Sequence, residues 1–242
     1  MKYIKYLMVE MILFLAMFLS ITKEMDFYHA LGVELSFLDV MGIFTCGHYV
    51  IWIIGMVVCV LLIFAIKNEM SLQKVIRYTS YQRYYVHLIF QAVKCIGVSF
   101  TMYFINAGLI STIWKLQLFN WSEDVSKYKS QTGFVTGVGM KEAVVVSGII
   151  YILLMFAFAV VFLDVYWVVQ NDRIAMIGYI LFLTFEINGN GFFYNPLNIY
   201  QIVYKDGVKY AVLLLPVLIL GLLIFIGYQY GKVKENYGEQ KK

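Results

Sequence analysis

The chain has 242 residues, of which 62% are hydrophobic and 14% are charged, and its formal net charge is +4. Its mean hydropathy of +0.76 exceeds what a soluble domain of this length buries in one core. The composition therefore excludes a soluble globular protein and predicts an all-α integral membrane protein. The cations are scattered between apolar blocks and form no basic face, which argues against a nucleic-acid partner.

Six apolar stretches approach the roughly 20 residues that a helix needs to cross a membrane. They are residues 6–22, 49–66, 86–114, 144–168, 174–185 and 211–228. The fifth stretch is the shortest and ends at Glu186, in the glycine-containing run EINGNG. No linker or repeat divides the chain. We therefore expect about six transmembrane helices in a single domain over residues 1–242.

Lysines and arginines set the expected orientation, because loops with an excess of these residues stay in the cytoplasm. Six spans place both termini on one side, and Arg77, Arg83 and Arg173 all fall on that side. On the other side, the loops at residues 23–48 and 115–142 are longer and also carry acidic residues. We therefore expect both termini in the cytoplasm, together with the loop between the second and third spans.

The sequence contains no convincing signature of a catalytic, nucleotide or metal site. The run GYQYGKV at residues 227–233 lacks the glycine spacing and the Ser or Thr of a phosphate-binding loop. One residue separates Cys46 from His48, but no second Cys or His cluster completes a metal site. Asn120 opens the glycosylation sequon NWS. We expect a protein that is not an enzyme and that binds neither a metal nor another cofactor.

Four charged residues fall inside the predicted spans or at their ends: Glu10, Lys94, Asp164 and Glu186. Charges in hydrocarbon are costly, so they are expected to face the bundle interior and to pair. The expected topology places the first three in the cytoplasmic half of the membrane, where either Glu10 or Asp164 is a candidate partner for Lys94. Two roles stay open: a pair that exchanges partners or lines a polar path, and a fixed ion pair or a lysine that extends its amine toward water.

The loop between the second and third spans, KNEMSLQKVIRYTSYQRYY at residues 67–85, has the pattern of an amphipathic helix. Ser71 is a candidate N-cap, and apolar residues recur at helical spacing on one face. The other face carries Lys74, Arg77 and Tyr81. Arg83 turns toward the apolar side where the chain re-enters the membrane. We predict a helix on the cytoplasmic membrane surface whose cations face water, anionic lipid or a protein.

Six spans with a cytoplasmic helix between the second and third resemble the permease subunits of bacterial ABC exporters of the type-2 exporter class. The sequence-specific part of the resemblance is Ile76-Arg77-Tyr78, Ser80 and Arg83-Tyr84. Small permeases of this kind are linked to antimicrobial-peptide export or self-immunity. The resemblance implies a location in the bacterial cell membrane and a dimer, formed with a second copy or with a related permease.

In such permeases the cytoplasmic segment is a coupling helix that a groove on a separate ABC ATPase receives. The resemblance therefore implies ATPase contacts for five residues: Ser71, Lys74, Arg77, Tyr81 and Arg83. It also implies a short helical element between the last two spans, for which residues 192–203 are the candidate. The chain differs from better-known members in its short fifth span, and it carries no fused ATPase.

These features predict the transmembrane subunit of an ATP-driven exporter. Its substrate is expected to be hydrophobic or amphipathic, such as an antimicrobial peptide, and ATP hydrolysis is expected in the separate partner. The alternative is a membrane immunity or scaffold protein that sequesters a peptide or toxin without transporting it.

Overall fold

A computed structural model describes residues 2–46, 48–69, 80–133, 137–188, 193 and 211–239. This part of the chain contains eight helices and two isolated β-bridges. In chain order the helices are α1 (Lys2–Ala30), α2 (Phe37–Cys46), α3 (His48–Glu69), α4 (Tyr81–Ile113), α5 (Lys127–Thr132), α6 (Met140–Val169), α7 (Asp172–Asn188) and α8 (Ala211–Glu239). The all-α class predicted from composition is confirmed for these residues.

Three helical segments are long and apolar enough to cross a membrane: Tyr81–Ile113, Met140–Val169 and Leu213–Val233. They correspond to α4, α6 and most of α8. At about 1.5 Å per residue, each reaches the roughly 30 Å thickness of a hydrocarbon layer. The three candidate spans indicate a multi-pass membrane protein.

The other three predicted spans do not meet this criterion within the described residues, so six spans are not shown. In α1 the longest uncharged stretch is residues 11–22, because Glu10 and Lys23 bound it. In α3 the apolar stretch whose side chains are described is Trp52–Ile66, within the longer apolar run of residues 49–66 in the sequence. Helix α7 has 17 residues. Within the described residues these three helices therefore supply no stretch that meets the criterion for a full crossing.

Helix α6 lies at the centre of the bundle and packs against α2, α3, α4, α7 and α8. Its buried residues occupy several faces and include Leu154, Phe158 and Phe162. A helix that is contacted from several sides must be apolar all round, as the sequence of α6 is. Helix α1 packs against α2, α3 and α4 and so lies at the edge of the bundle.

The bundle has two ends, which we name by their contacts. At the junction end, the first turns of α4 meet the last turns of α6 and the second half of α8. At the cap end, the last turns of α1 meet residues 114–133, which include α5. Arg83 in α4 and Arg173 in α7 both lie in first turns at the junction end.

Candidate functional site

Three tyrosines at the start of α4 surround one tryptophan near the end of α6. The rings of Tyr81, Tyr84 and Tyr85 lie 6.2, 5.7 and 5.8 Å from the ring of Trp167, measured between centroids. Tyr84, Tyr85 and Trp167 are buried. Aromatic pairs at such distances contribute about 0.5–1.5 kcal/mol each beyond the area they bury. This cluster fixes the start of α4 against the end of α6.

A carboxyl group lies within the same junction. The Tyr85 hydroxyl donates a hydrogen bond of 2.6 Å to Asp164 Oδ1. Asp164 Oδ2 is buried and has no hydrogen-bond partner in the described part of the chain. Such an oxygen has lost its hydration without replacement, which destabilises the arrangement. Asp164 is therefore a candidate for a group that changes its partner between two conformations of the bundle.

Two glycines allow α8 to approach the junction closely. A Cβ atom on Gly227 would fall on the hydroxyl and ring of Tyr85 and 2.5 Å from Asp164 Oδ1. A Cβ atom on Gly231 would lie 3.3 Å from the backbone nitrogen of Gln82. The two glycines are four positions apart, and this spacing brings transmembrane helix backbones together. The run GYQYGKV, which fails as a phosphate-binding loop, thus contains a helix-packing motif.

The residues predicted to contact an ATPase fall into two groups. Three of them lie outside the described residues: Ser71, Lys74 and Arg77. The other two, Tyr81 and Arg83, belong to α4 itself, whose N-cap Ser80 accepts a hydrogen bond of 3.2 Å from Arg83 N. Tyr81 packs on Trp167 and is partly buried, whereas Arg83 is exposed. Tyr81 therefore serves the junction between helices, and Arg83 presents its side chain outside it.

The structure separates Glu10 from Asp164. Glu10 lies beside the Asn106 amide, 21 residues beyond Tyr85 in α4 and so about 30 Å away along the helix axis. This contradicts the interpretation that both acids lie in the cytoplasmic half of the membrane, and the reason is that α1 is displaced toward the cap end. Lys94 is exposed and forms no ion pair with either acid.

Glu186 lies near the end of α7 and is buried. Its Oε2 accepts a hydrogen bond of 2.9 Å from the backbone nitrogen of Phe193. Phe193 is the one described residue of the region 192–203, where a short helical element is predicted, and the rest of that prediction lies outside the described residues. The Glu186 carboxyl group thus holds Phe193 against the bundle.

Apolar grooves open between neighbouring helices. One groove of about 430 Å³ lies between α4 and α8, and another of about 400 Å³ lies between α1 and α3. The walls of the α4–α8 groove include Tyr85, Ile89, Phe90, Ile224 and Phe225. Tyr85 contributes its ring to this groove and its hydroxyl to Asp164, so the groove and the junction share a side chain.

The cap end is organised around Asp39, the third residue of α2. Ser36 donates to Asp39 Oδ2 from its backbone nitrogen at 2.8 Å and from its Oγ at 2.7 Å. Asp39 N donates back to Ser36 Oγ at 3.4 Å, which completes a capping box. Trp121 Nε1 donates to Asp39 Oδ1 at 2.8 Å. Burial raises the pKa of Asp39, and the bonds from Ser36 and Trp121 and the charge of Lys127 offset part of that increase.

A buried lysine joins α5 to α1 at the same end. Lys127 Nζ forms an ion pair of 3.3 Å with Glu24 and lies 4.7 Å from the centroid of the Tyr28 ring. Gln131 Nε2 donates a hydrogen bond of 2.9 Å to the Tyr28 hydroxyl. Burial is the largest cause of the raised pKa of Tyr28. These contacts attach residues 114–133 to α1 as one ordered surface.

The predicted glycosylation sequon has a structural role. Asn120 is buried, and its Nδ2 donates a hydrogen bond of 2.9 Å to the backbone oxygen of Glu34. Because this nitrogen is the atom that would carry a glycan, the folded cap leaves no room for the modification. Asn120 instead helps to join the loop after α4 to the segment before α2.

Two features of these sites are readable in the sequence, and one is not. The glycine spacing at Gly227 and Gly231 and the Ser-x-x-Asp pattern at residues 36–39 are both local signals. By contrast, the hydrogen bond between Tyr85 and Asp164 joins residues 79 positions apart. No local pattern in the sequence predicts that contact.

Comparisons of the chain with known protein families, with curated proteins and with solved structures found no match.

Proposed function

We propose that the chain is the transmembrane subunit of an ATP-driven exporter, powered by a separate ABC ATPase. In this proposal α1, α3, α4, α6, α7 and α8 cross a bacterial cell membrane, and the junction end and both termini face the cytoplasm. The subunit works as a dimer, with a second copy or with a related permease. The observation that carries the proposal is the packing of the start of α4 against both α6 and α8.

A coupling element has to be joined by direct contacts to the helices that it moves. The segment predicted to bind the ATPase, residues 67–79, continues through Ser80 into α4. The first turns of α4 contact Trp167 of α6 and the backbone at Gly231 of α8. A displacement of the segment before Ser80 would therefore reach three long helices through packed side chains.

The α4–α8 groove supports a hydrophobic or amphipathic substrate. Its walls are apolar, and its volume of about 430 Å³ accommodates a cluster of apolar side chains from a peptide. Tyr85 lines the groove and bonds to Asp164, so a movement that breaks this bond changes the shape of the groove. A substrate and an ATPase that favour different arrangements of Tyr85 would then be coupled by a population shift.

The first test is co-purification of the tagged full chain from its native membranes, followed by mass spectrometry and an ATPase assay. The proposal predicts a stoichiometric ATPase partner with vanadate-sensitive turnover. Replacement Arg77→Glu is expected to weaken this association while leaving membrane insertion intact, because it reverses a charge in the predicted contact. A reproducible absence of any ATPase, or an association unchanged by Arg77→Glu, would count against the exporter.

A second test separates coupling from association. Tyr85→Phe removes one hydrogen bond, worth about 1 kcal/mol, which corresponds to about a fivefold change in a conformational equilibrium. We expect substrate-stimulated ATPase activity to change by about that factor while the amount of bound ATPase stays constant. Tyr230→Phe makes the same chemical change on α8, outside both the Asp164 contact and the α4–α8 groove, and is the matched control. Equal effects of the two variants would refute a coupling role for the Tyr85–Asp164 bond.

The alternative function, an immunity or scaffold protein that sequesters a peptide or toxin, is favoured by the order of the cap end. Asp39, Trp121 and Lys127 are buried in one hydrogen-bonded unit, which supports an extramembrane surface of fixed shape. In that case Trp121→Ala abolishes protection against the peptide and Tyr85→Phe leaves it unchanged. The exporter proposal predicts that Tyr85→Phe impairs protection even with an intact cap.

A further inference from the structure

A second carboxyl group with an enclosed oxygen lies in the bundle, on Glu10 of α1. Glu10 Oε2 is buried and has no hydrogen-bond partner in the described part of the chain. The Asn106 side chain of α4 hydrogen-bonds to the same carboxyl group. Asn106 is 2% exposed, and its Nδ2 also donates to Met17 Sδ at 3.8 Å. The carboxyl group of Glu10 therefore has one amide neighbour on α4 and one enclosed oxygen without a donor.

The neighbours of Glu10 place it well inside the uncharged parts of two candidate spans. Asn106 lies nine residues before Lys115, which is the first charged residue toward the cap end of α4. Tyr151, which is within electrostatic reach of the Glu10 carboxyl group, lies nine residues after Glu142 on α6. Nine residues of helix cover about 13 Å. In both helices the next charged residue toward the junction end is farther away. The two helices therefore give Glu10 the same depth.

Hydroxyl groups of α4 and α6 near this depth have other partners. Ser99 Oγ and the Tyr151 hydroxyl lie 2.7 Å apart, and both residues are buried. The Tyr103 hydroxyl donates a hydrogen bond of 2.8 Å to the backbone oxygen of Met41. These hydroxyl groups leave Glu10 Oε2 without a donor.

The helices packed on α1 bring no positive charge to this site in their described residues. The described apolar part of α3 contributes one ionisable side chain, Cys59, and α2 contributes Asp39, whose carboxyl group is bonded at the cap end. On α4, Lys94 lies twelve residues before Asn106, about 18 Å away along the axis. The described side chains form no ion pair with Glu10. An ionised Glu10 would therefore be an unpaired charge.

The part of the Glu10 side chain that is exposed does not bring the carboxyl group into water. Helix α1 lies at the edge of the bundle. Its exposed side chains on either side of Glu10 are apolar: Met8, Met11, Ile12 and Leu15. At the depth that Asn106 and Tyr151 define, such a surface faces lipid chains. A carboxylate there would have protein on one side and hydrocarbon on the other, which is a costly arrangement.

Three kinds of ligand would remove this cost: a cationic side chain, a metal ion and a proton. The described residues bring no cationic side chain to this depth. They also contain no group of three side chains suited to hold a metal ion. A metal ion would in addition need space beside Glu10 Oε2, and that oxygen is buried against protein atoms. A proton needs no cavity, and it neutralises the carboxyl group. The proton is therefore the ligand that fits.

We propose that Glu10 is a proton-binding site within the bundle, which holds its proton while α1 packs on α4 and releases it when the two helices separate. The α1–α3 groove adjoins this site, because its lining residues Val9 and Ile12 lie on either side of Glu10 in sequence. A separation of α1 from α4 would therefore change the groove and the protonation of Glu10 together. The site goes beyond the proposed function, since it does not depend on an ATPase that binds residues 67–79.

The test is labelling of the full chain in its native membranes with dicyclohexylcarbodiimide, a hydrophobic reagent that reacts with protonated carboxyl groups. The carboxyl O–H adds across one C=N bond of the reagent, so that the oxygen bonds to carbon and the proton moves to nitrogen. The acyl group then migrates from oxygen to the other nitrogen and gives a stable N-acylurea, with no atom lost. Mass spectrometry of peptides locates the labelled residue.

We expect Glu10 to be labelled at neutral pH and the exposed cap residues Glu34 and Glu123 to stay unlabelled. The rate at Glu10 should fall about tenfold for each pH unit once the carboxyl group ionises, because only the protonated form reacts. Sodium or calcium chloride at constant pH should leave this rate unchanged. A rate at Glu10 no higher than at Glu34, or a rate independent of pH, would overturn the proposal. Protection by either salt would also overturn it, because a metal ion would then be the ligand.

A stability measurement with Glu10→Gln, which resembles the protonated acid in shape, completes the test. If the folded bundle holds the proton more tightly than the unfolded chain, stability falls as the pH rises through the range where Glu10 ionises. Glu10→Gln should reduce this change in the unfolding equilibrium constant by about tenfold per pH unit in that range. Glu34→Gln, at an exposed side chain, should leave it unchanged and is the matched control. Equal pH dependence of the two variants would overturn the proposal.

Discussion

Replacing Gly227 by alanine tests the junction directly, because Gly221 on the same helix provides a matched control. A Cβ atom at Gly221 would meet nothing within 4 Å, whereas one at Gly227 would fall on Tyr85 and 2.5 Å from Asp164 Oδ1. Tyr85 is 0% exposed, so its ring can leave the added methyl group only by moving into the α4–α8 groove, away from Asp164. Either α8 moves outward or the Tyr85–Asp164 hydrogen bond breaks.

Three contributions set the expected magnitude for Gly227→Ala. Overpacking of a close contact costs about 1–3 kcal/mol. Loss of the hydrogen bond to Asp164 adds about 1 kcal/mol where the ring is forced aside. Alanine is favoured over glycine within a helix by about 1 kcal/mol, which opposes both losses. The net expectation is a loss of about 1–3 kcal/mol for Gly227→Ala and a gain of up to about 1 kcal/mol for Gly221→Ala.

The assay is reversible unfolding of the purified chain in mixed micelles, followed by the fluorescence of its four tryptophans, which include Trp167 in the junction. Gly227→Ala and Gly221→Ala are measured beside the unmodified chain under identical detergent conditions. The expected result is a lower free energy of unfolding for the first variant and an equal or higher one for the second. Equal stability of the two variants would show that α8 does not approach Tyr85 as closely as the structure indicates.

Three further predictions concern the cap. Lys127→Met should lower the free energy of unfolding by about 1 kcal/mol, because it removes the buried contacts of Lys127 with α1. Lys129→Met removes an exposed ion pair and should lower it by less than about 0.5 kcal/mol in the same assay. Trp121→Phe should lower the free energy of unfolding by about 1–3 kcal/mol, because Asp39 loses a buried hydrogen-bond donor. The control Leu118→Ala changes a side chain that is 65% exposed and should lower it by less than about 0.5 kcal/mol. Because burial raises the pKa of Asp39, the folded cap keeps its proton to higher pH than the unfolded chain. The stability of the cap is then highest below the ordinary aspartate pKa, falls as the pH rises from that value to the raised pKa, and is constant above it. Limited proteolysis at a series of pH values measures this dependence. The variant Asp39→Asn, which has no carboxyl group to titrate, should remove it.

The long apolar elements of this fold are predictable because their signal is local. Residues 86–114, 144–168 and 211–228 each correspond to a candidate span, since a continuous apolar run needs no knowledge of its neighbours. The weaker spans are less predictable from the same signal. Helix α1 is apolar on average, yet Glu10 and Lys23 leave residues 11–22 as its longest uncharged stretch. Whether such a helix crosses the membrane depends on partners that no window of sequence contains.

The placement of the intramembrane charges is not predictable from depth along single helices. Depth estimates from the six spans place Glu10 and Asp164 together, but the helices do not start at a common level. Glu10 lies beside Asn106, and Asp164 lies beside Tyr85 at the other end of α4. The vertical offset between α1 and α6 depends on tertiary packing, which includes the packing of α1 against α2, α3 and α4 and its ion pair through Glu24 at the cap end.

The two ends of the bundle differ in the kind of interaction that holds them, and this difference indicates where movement would occur. At the cap end, Asn120 Oδ1 is buried without a hydrogen-bond partner, but the Asp39 carboxyl group accepts three hydrogen bonds, and a charged group held in this way resists rearrangement. At the junction end, Asp164 uses one oxygen and leaves the other without a partner, and Gly227 and Gly231 contribute contact without interlocking side chains. When α8 slides along α4 or separates from it, fewer hydrogen bonds and interlocking side-chain contacts are broken at the junction than at the cap. A conformational change of this protein should therefore begin at the junction while the cap keeps its structure. A coupling segment before Ser80 would require this order, because that segment leads directly into the junction.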